Sequence, residues 1–193
     1  ALTRQFVQRI RPYRAKIRDT RKTLPGLRLL EKHAVRIGGG SNHRRGLDEA
    51  VLIKTNHLLV IRRSGIVNRE TIIKRAIEQA KRLRPKKFVE IEVTNLREFK
   101  AALGANPDAI LLDNWSLSEI RMAIKSRNDP RFTIHDSPLL EVSGGVTLQN
   151  VRQIAKTGVD VLLLGVLAGH LGARLDEDLL GPLLAQRSVR LAK

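Results

Sequence analysis

The chain has 193 residues, enough for one full core, and 42% of them are apolar, a globular composition. It has no cysteine, which excludes disulfides and thiolate chemistry, and no apolar run approaches the roughly 20 residues of a membrane span. The formal net charge is +17, with arginine and lysine crowding residues 1–36 against only Asp19 and Glu31; a surplus of that kind attracts phosphorylated substrates and polyanions.

Residues 1–12 read as a basic amphipathic helix without the apolar centre of a signal segment, so the expected location is the cytoplasm. Pro25-Gly26 is a turn signal, and Leu27 to Val35 reads as a short helix. Val51 to Ile53 reads as a strand ending in Lys54. A helix is expected over about 68–83, with Ile72, Ile73, Ala76, Ile77 and Ala80 on one side. FVEIEV (88–93) is a strand followed by a helix over about 95–103. AILLD (109–113) is a strand, and a helix starts near Ser116. LLEVSG (139–144) is a strand before a helix over 147–157. VDVLLLG (159–165) is another strand, and a terminal helix follows Leu175. Strict alternation of strand and helix implies parallel strands covered by helices.

The polar residues Lys54, Glu92, Asp113 and Ser143 each stand at or near the C-terminal end of a different strand. Such ends converge on one mouth in a barrel. An open nucleotide-binding sheet would carry GxGxxG in its first turn, and GGGSNH (38–43) does not match it. The expected fold is therefore α/β: a TIM-like, incomplete or open barrel of parallel strands, formed by residues 1–193 as a single domain.

The candidate site follows from these strand ends. Arg21 and Lys22 place two cations beside a turn. Gly38, Gly39 and Gly40 permit close backbone approach, and Asn42, His43, Arg44 and Arg45 follow them. Arginine offers a rigid fork for a carboxylate, and Lys54 either snorkels outward or points into the mouth, the orientation its strand-end position favours. Glu90 and Glu92 share one strand face and need cationic partners if buried. Asp113 either joins a metal carried by a polyphosphate, stabilises cationic charge on a sugar, or caps a helix. Ser143, Gly144 and Gly145 precede a helix, and Gly165 ends the next strand. Two glycine turns after adjacent late strands match the usual barrel phosphate site. One mouth with excess cations, carboxylates and a phosphate cradle suits two anionic substrates, one phosphorylated and the other carrying carboxylates.

The phrases DTRKTLPGLRLLEKHAVRIGGGSNHRRGLDEAVLIKTNH, VEIEVTNL, ILLDN, EVSGGVTLQNV and TGVD resemble quinolinate phosphoribosyltransferase, the carboxylating nicotinate-nucleotide pyrophosphorylase family. The resemblance implies a transferase of NAD biosynthesis. It joins quinolinate to phosphoribosyl pyrophosphate with Mg2+ and gives nicotinate mononucleotide, pyrophosphate and carbon dioxide. It assigns Arg21, His43, Arg44 and Lys54 to quinolinate, and Lys22 to the cations between the two substrates. Glu92 and Asp113 become the acids near the ribose and the metal, which they meet indirectly or through substrate. Ser143, Gly144, Gly145 and Gly165 become the site of the ribose 5-phosphate.

The resemblance also implies a homodimer and an N-terminal sandwich domain that this chain lacks, so a separate N-terminal domain is an expected partner. Three features depart from the family pattern: that missing domain, Thr94 in place of a third acid, and LLGVLAGH (163–170), which lacks the usual hydroxyl donors. RNDPRFTIHDSP (127–138) reads as a surface excursion. The rival readings are a noncatalytic or nucleic-acid-binding barrel, which the charge favours, and a nicotinate phosphoribosyltransferase. Retention of Arg21, His43, Arg44, Lys54, Glu92 and Asp113 together favours the quinolinate enzyme, with neither nucleic acid nor membrane as partner.

Overall fold

A computed structural model describes residues 2–62, 68–83, 85–129, 137–165 and 167. In chain order its elements are α1 (Leu2–Arg9), β1 (Lys16–Arg18), α2 (Arg28–Ile37), β2 (Ala50–Ile53), α3 (Thr55–Arg62), α4 (Arg69–Lys81) and β3 (Phe88–Val93). They continue with α5 (Leu96–Ala105), β4 (Ala109–Asp113), α6 (Leu117–Arg127), β5 (Leu139–Ser143), α7 (Val151–Ala155) and β6 (Val161–Leu163). The helix expected after Leu175 lies outside the described residues, as does most of the 127–138 excursion.

Helix starts follow local chemistry. The Asn68 side chain accepts from the Glu70 amide and opens α4. Asn95 accepts from the amides of Arg97 and Glu98 and opens α5. Ser116 and Glu119 form a reciprocal capping box at α6, satisfying amides that lack an intrahelical partner. The cap of α6 is therefore Ser116, and Asp113 is left for other work.

All six strands are parallel in one sheet, ordered β1-β6-β5-β4-β3-β2. This is the circular order of a barrel opened at a single seam between β1 and β2. Side-chain alternation gives the sheet two different faces. Val89, Ile91, Val93, Ile110, Leu112, Leu140, Val142 and Leu162 face the helices and belong to the main apolar cluster. The opposite parity carries Glu90, Glu92, Leu111, Asp113, Glu141, Ser143 and Leu163. Under the helix layer, Phe99 and Trp115 meet edge to face with centroids 6.0 Å apart, and Trp115 Nε1 donates to the Val93 carbonyl at 3.0 Å.

The seam is filled by the chain after α2. Ser41 makes a parallel bridge with Arg18, its amide donates to the Ile17 carbonyl at 2.8 Å, and the Asp19 amide donates to its carbonyl at 3.2 Å. On the other side, Arg44 Nη1 donates to the Ala50 carbonyl at the start of β2, at 2.6 Å. The glycines before Ser41 serve packing rather than ligand approach. A Cβ on Gly38 would stand 2.5 Å from Thr3 Cβ of α1, and one on Gly40 would stand 2.9 Å from Val35 Cγ1.

A buried ion pair anchors this segment. Lys32 Nζ lies 2.8 Å from Asp19 Oδ1, with the two side chains 3% and 2% exposed. Lys32 also donates to the His43 carbonyl at 3.1 Å. Asp19 accepts from the His43 amide at 2.7 Å and from Asn42 Nδ2 at 2.8 Å. Removing one partner of a buried pair leaves the other charge uncompensated. Asp19→Ala should lower unfolding free energy by about 3–5 kcal/mol, measured by urea denaturation. A loss below about 1 kcal/mol, the range of exposed pairs, would contradict this role.

Candidate active site

A cavity of about 720 Å³ opens at the C-terminal ends of the strands. It is lined by Arg21, Lys22, His43, Arg44, Lys54, Glu92, Asp113, Ser143, Gly144, Gly145 and Gly165, the residues that the family resemblance assigned, whereas Asn42, Arg45 and Glu90 do not border it. Leu52, Leu111, Leu163 and Leu164 add apolar wall, and Thr20, Asn114, Val146 and Thr147 complete it.

The cationic side of the mouth is crowded. Burial lowers the Arg44 pKa from its ordinary value, the nearby charge of Arg21 lowers it further, and Glu90 opposes the shift. Among the described residues, the buried Nε–H groups of Arg21 and Arg44 meet no hydrogen-bond acceptor. A buried donor left unmatched costs about 1–3 kcal/mol. Two like-charged guanidiniums with spare donors on one wall are arranged for an anion. Lys54 is exposed at the rim, where its amide donates to His57 Nδ1 at 3.1 Å. Lys22 sits across from Gly165, its Cδ 3.7 Å from where a Cβ on that glycine would stand.

The acidic side is held differently. Thr55 Oγ1 donates to Glu92 Oε1 at 2.7 Å, which fixes that carboxylate at the end of β3. Asp113 is half-buried at the end of β4, opposite Ser143 in the register. His43 borders the cavity, and its Nε2 lies 2.7 Å from Glu90 Oε2 deeper in the barrel.

The glycine turn after β5 has positive φ at Gly144 (82°) and Gly145 (61°), so its backbone takes a course that side chains disfavour. α7 starts only at Val151, and the intervening turn is closed by the Thr147 amide donating to Asn150 Oδ1 at 2.8 Å. The backbone after Gly145 therefore forms a turn, not the start of the helix expected from residue 147.

Asn114 was not singled out as a site residue, and the structure places it in the wall. Its own φ is 59°. Its amide donates to the Ser143 carbonyl at 2.9 Å, and its Oδ1 occupies the space 2.0 Å from a Cβ position on Gly144. Glu141 and Arg18 were also overlooked. They form an ion pair in which Glu141 is fully enclosed. Glu141 stands in LLEV much as Glu90 stands in FVEIEV, and an acid set among apolar strand residues is the signal that could have found it.

Burial, and next the charge of Glu90, push the Glu141 carboxyl up to about 8, while Arg18 pulls it back.

The chain matches the family model described as quinolinate phosphoribosyl transferase, C-terminal domain, over residues 1–176. It is 42% identical over 166 residues to the nicotinate-nucleotide pyrophosphorylase (carboxylating) of Mycobacterium leprae (strain TN), covering 86% of this chain and 54% of that one. A probable enzyme of the same name from Methanocaldococcus jannaschii is 38% identical over 169 residues, covering 86% and 56%. The crystal structure of nicotinate-nucleotide pyrophosphorylase from Ehrlichia chaffeensis superposes with a TM-score of 0.74 at 40% identity, over 88% of this chain and 56% of that one. The chain spans about half the length of the curated relatives it matches.

Two measurements test this geometry. Gly144→Ala should destabilise the protein by about 1–3 kcal/mol, through strain at positive φ and the clash with Asn114. Adding Asn114→Ala should recover only the clash, so a double-mutant cycle showing no coupling would refute the contact. For Glu141, the folded carboxyl keeps its proton to about 8 while an ordinary one releases it near 4.5. Its stabilising contribution is therefore complete below about pH 4.5 and is lost as pH rises toward 8. Urea midpoints in EDTA should fall between pH 5 and 8 more steeply for the wild type than for Glu141→Gln.

Proposed function

We propose, because the chain belongs to the quinolinate phosphoribosyl transferase family, that its cavity binds quinolinate and phosphoribosyl pyrophosphate and forms nicotinate mononucleotide, pyrophosphate and carbon dioxide. The observation that carries this reading is the pair of buried, unmatched Nε–H donors of Arg21 and Arg44 beside one cavity wall. Their mutual repulsion is relieved by a dianion, and a pyridine dicarboxylate supplies two carboxylates on a flat ring. Lys54 and His43 extend the same wall, and Leu52, Leu111 and Leu163 offer apolar surface to the ring.

The second substrate fits the other side. The turn Ser143–Gly144–Gly145, with Gly165 opposite, receives the 5-phosphate on backbone amides. Lys22 follows Arg21 in the chain and lies beside Gly165, and it bridges the two substrates electrostatically. Glu92, held by Thr55, and Asp113 face the ribose. As the bond to pyrophosphate breaks, the anomeric carbon becomes cationic, and these fixed carboxylates stabilise it without reorganising. Arg21 and Arg44 hold the pyridine nitrogen on line with that carbon. After the C–N bond forms, the ring nitrogen is cationic. The carboxylate next to it leaves as carbon dioxide, and the electron pair left on the ring carbon takes a proton from water.

An all-oxygen pair such as Glu92 and Asp113 fits the preference of Mg2+, which keeps several waters and is carried by substrate phosphates. When bound, the ion offsets charge on the departing pyrophosphate. The acting unit in this reading is a homodimer or higher homo-oligomer in which an N-terminal domain completes the cover of the site.

Calorimetry on this chain should show binding of quinolinate and of phthalate, an unreactive dicarboxylate, and weaker binding of nicotinate, which has one carboxylate. Arg44→Ala removes a charge-assisted contact of about 1.5–3 kcal/mol and should weaken quinolinate binding about 10- to 100-fold. Absence of binding by either dicarboxylate, or unchanged affinity in the variant, would overturn the assignment.

A further inference from the structure

The wall between Asp113 and the glycine turn carries a polar group that the proposed reaction leaves without a role. Asn114 follows Asp113 at the end of β4, is exposed, and lines the cavity. Its backbone lies in the left-handed region, at φ 59°, which asparagine tolerates better than most residues. Gly144, beside it, stands at φ 82°. The Asn114 amide donates to the Ser143 carbonyl at 2.9 Å, so the two turns are tied together at the ends of β4 and β5. The carboxamide fills the space that a side chain on Gly144 would take: Oδ1, Cγ and Nδ2 lie 2.0, 2.5 and 3.0 Å from that Cβ position. Among the described residues, this carboxamide makes no hydrogen bond within the protein, and it is the single carboxamide in the cavity lining. A left-handed residue with a free polar group, held at a cavity mouth, points to a functional constraint.

We infer that Asn114 is a further substrate-binding residue, whose Nδ2–H donates to the 5-phosphate of the phosphoribosyl substrate. The inference rests on the reading of Ser143–Gly144–Gly145 as the 5-phosphate site. That turn offers backbone amides, and the carboxamide lying against Gly144 adds a side-chain donor beside them. A carboxamide carries two N–H donors and no charge, and the neutrality suits its place. Asp113 directly precedes it and faces the ribose. A second carboxylate here would repel the phosphate, whereas a lysine or arginine would pair with Asp113 and draw it away from the cationic carbon. The neutral amide bonds phosphate oxygens and leaves Asp113 free. Gly144 then has a second use: its missing Cβ gives the Asn114 side chain room beside the phosphate.

Calorimetry with ribose 5-phosphate and, separately, with quinolinate tests this on the chain itself. Asn114→Gly keeps the backbone conformation and removes the donor. It should weaken ribose 5-phosphate binding about tenfold, the scale of one hydrogen bond to a charged group. Asn114→Asp keeps the size and sets a carboxylate against the phosphate, so its loss should be larger. Quinolinate affinity should be unchanged in both variants, which reports an intact cavity. Unchanged ribose 5-phosphate affinity in Asn114→Gly overturns the proposal, and so does an equal loss for both ligands. If the unmodified chain binds quinolinate but not ribose 5-phosphate, the 5-phosphate site itself falls, and this proposal with it. Where a variant fails to fold, a crystal structure of the unmodified chain with ribose 5-phosphate decides. Nδ2 within about 3.2 Å of a phosphate oxygen supports the donor, and a carboxamide turned away from the phosphate refutes it.

Discussion

The ion pair between Lys32 and Asp19 is the constraint on which the mouth depends. The strand order leaves β1 and β2 without a shared ladder, so the segment that carries His43 and Arg44 meets β1 through the bridge at Ser41 alone among the described residues. Asp19 at the end of β1 takes Lys32 of α2 and the His43 amide on one oxygen, and Asn42 on the other. Lys32 returns a bond to the His43 carbonyl. Both backbone groups of His43 are therefore fixed by a buried pair with no part in any reaction. Such a pair is costly to desolvate, and what it secures here is position: the imidazole at Glu90 and the Arg44 guanidinium between cavity and β2.

Strand parity divides the remaining labour. Every second side chain of β3, β4, β5 and β6 enters the apolar layer beneath the helices and holds the sheet rigid. The intervening side chains enter the barrel, where charge is concentrated. Burial there disfavours the charged forms, which lowers the Arg44 pKa and raises that of Glu141, and neighbouring charges add to both shifts. Cations gather near the seam and acids on β3 and β4, with the glycine turn of β5 beside them. In the proposed reaction this separation would put the dicarboxylate at one side of the cavity and the phosphorylated sugar at the other.

Much of this was legible in the chain. FVEIEV, AILLD and LLEVS were readable as strands because each is a short run rich in apolar residues, and Ser116 marked the start of α6. Strand ends in a barrel share one mouth, so Lys54, Glu92, Asp113 and Ser143 could be grouped before any contact was known. β1 escaped notice because KIR is three residues long with charged flanks. α3 escaped because LLVI continues the apolar run of β2 and has no helical period of its own. The helix α7 was expected from Thr147, but Asn150 and Thr147 close a turn first.

The sequence by itself determined the alternation of elements, the parallel sheet, the polar strand ends and the family resemblance, because these rest on spacing and residue type within short windows. Tertiary structure alone decided the pairings across the barrel. Asp19 with Lys32, His43 with Glu90, Arg18 with Glu141 and Asn114 with Gly144 each join residues on different elements, and nothing local marks one as the partner of the other. It also decided the meaning of Gly38 and Gly40, whose missing side chains make room for Thr3 and Val35. The physical reason is the same in each case: burial turns a charge or a Cβ into a demand on its neighbours, and which neighbours answer is set by how the strands close.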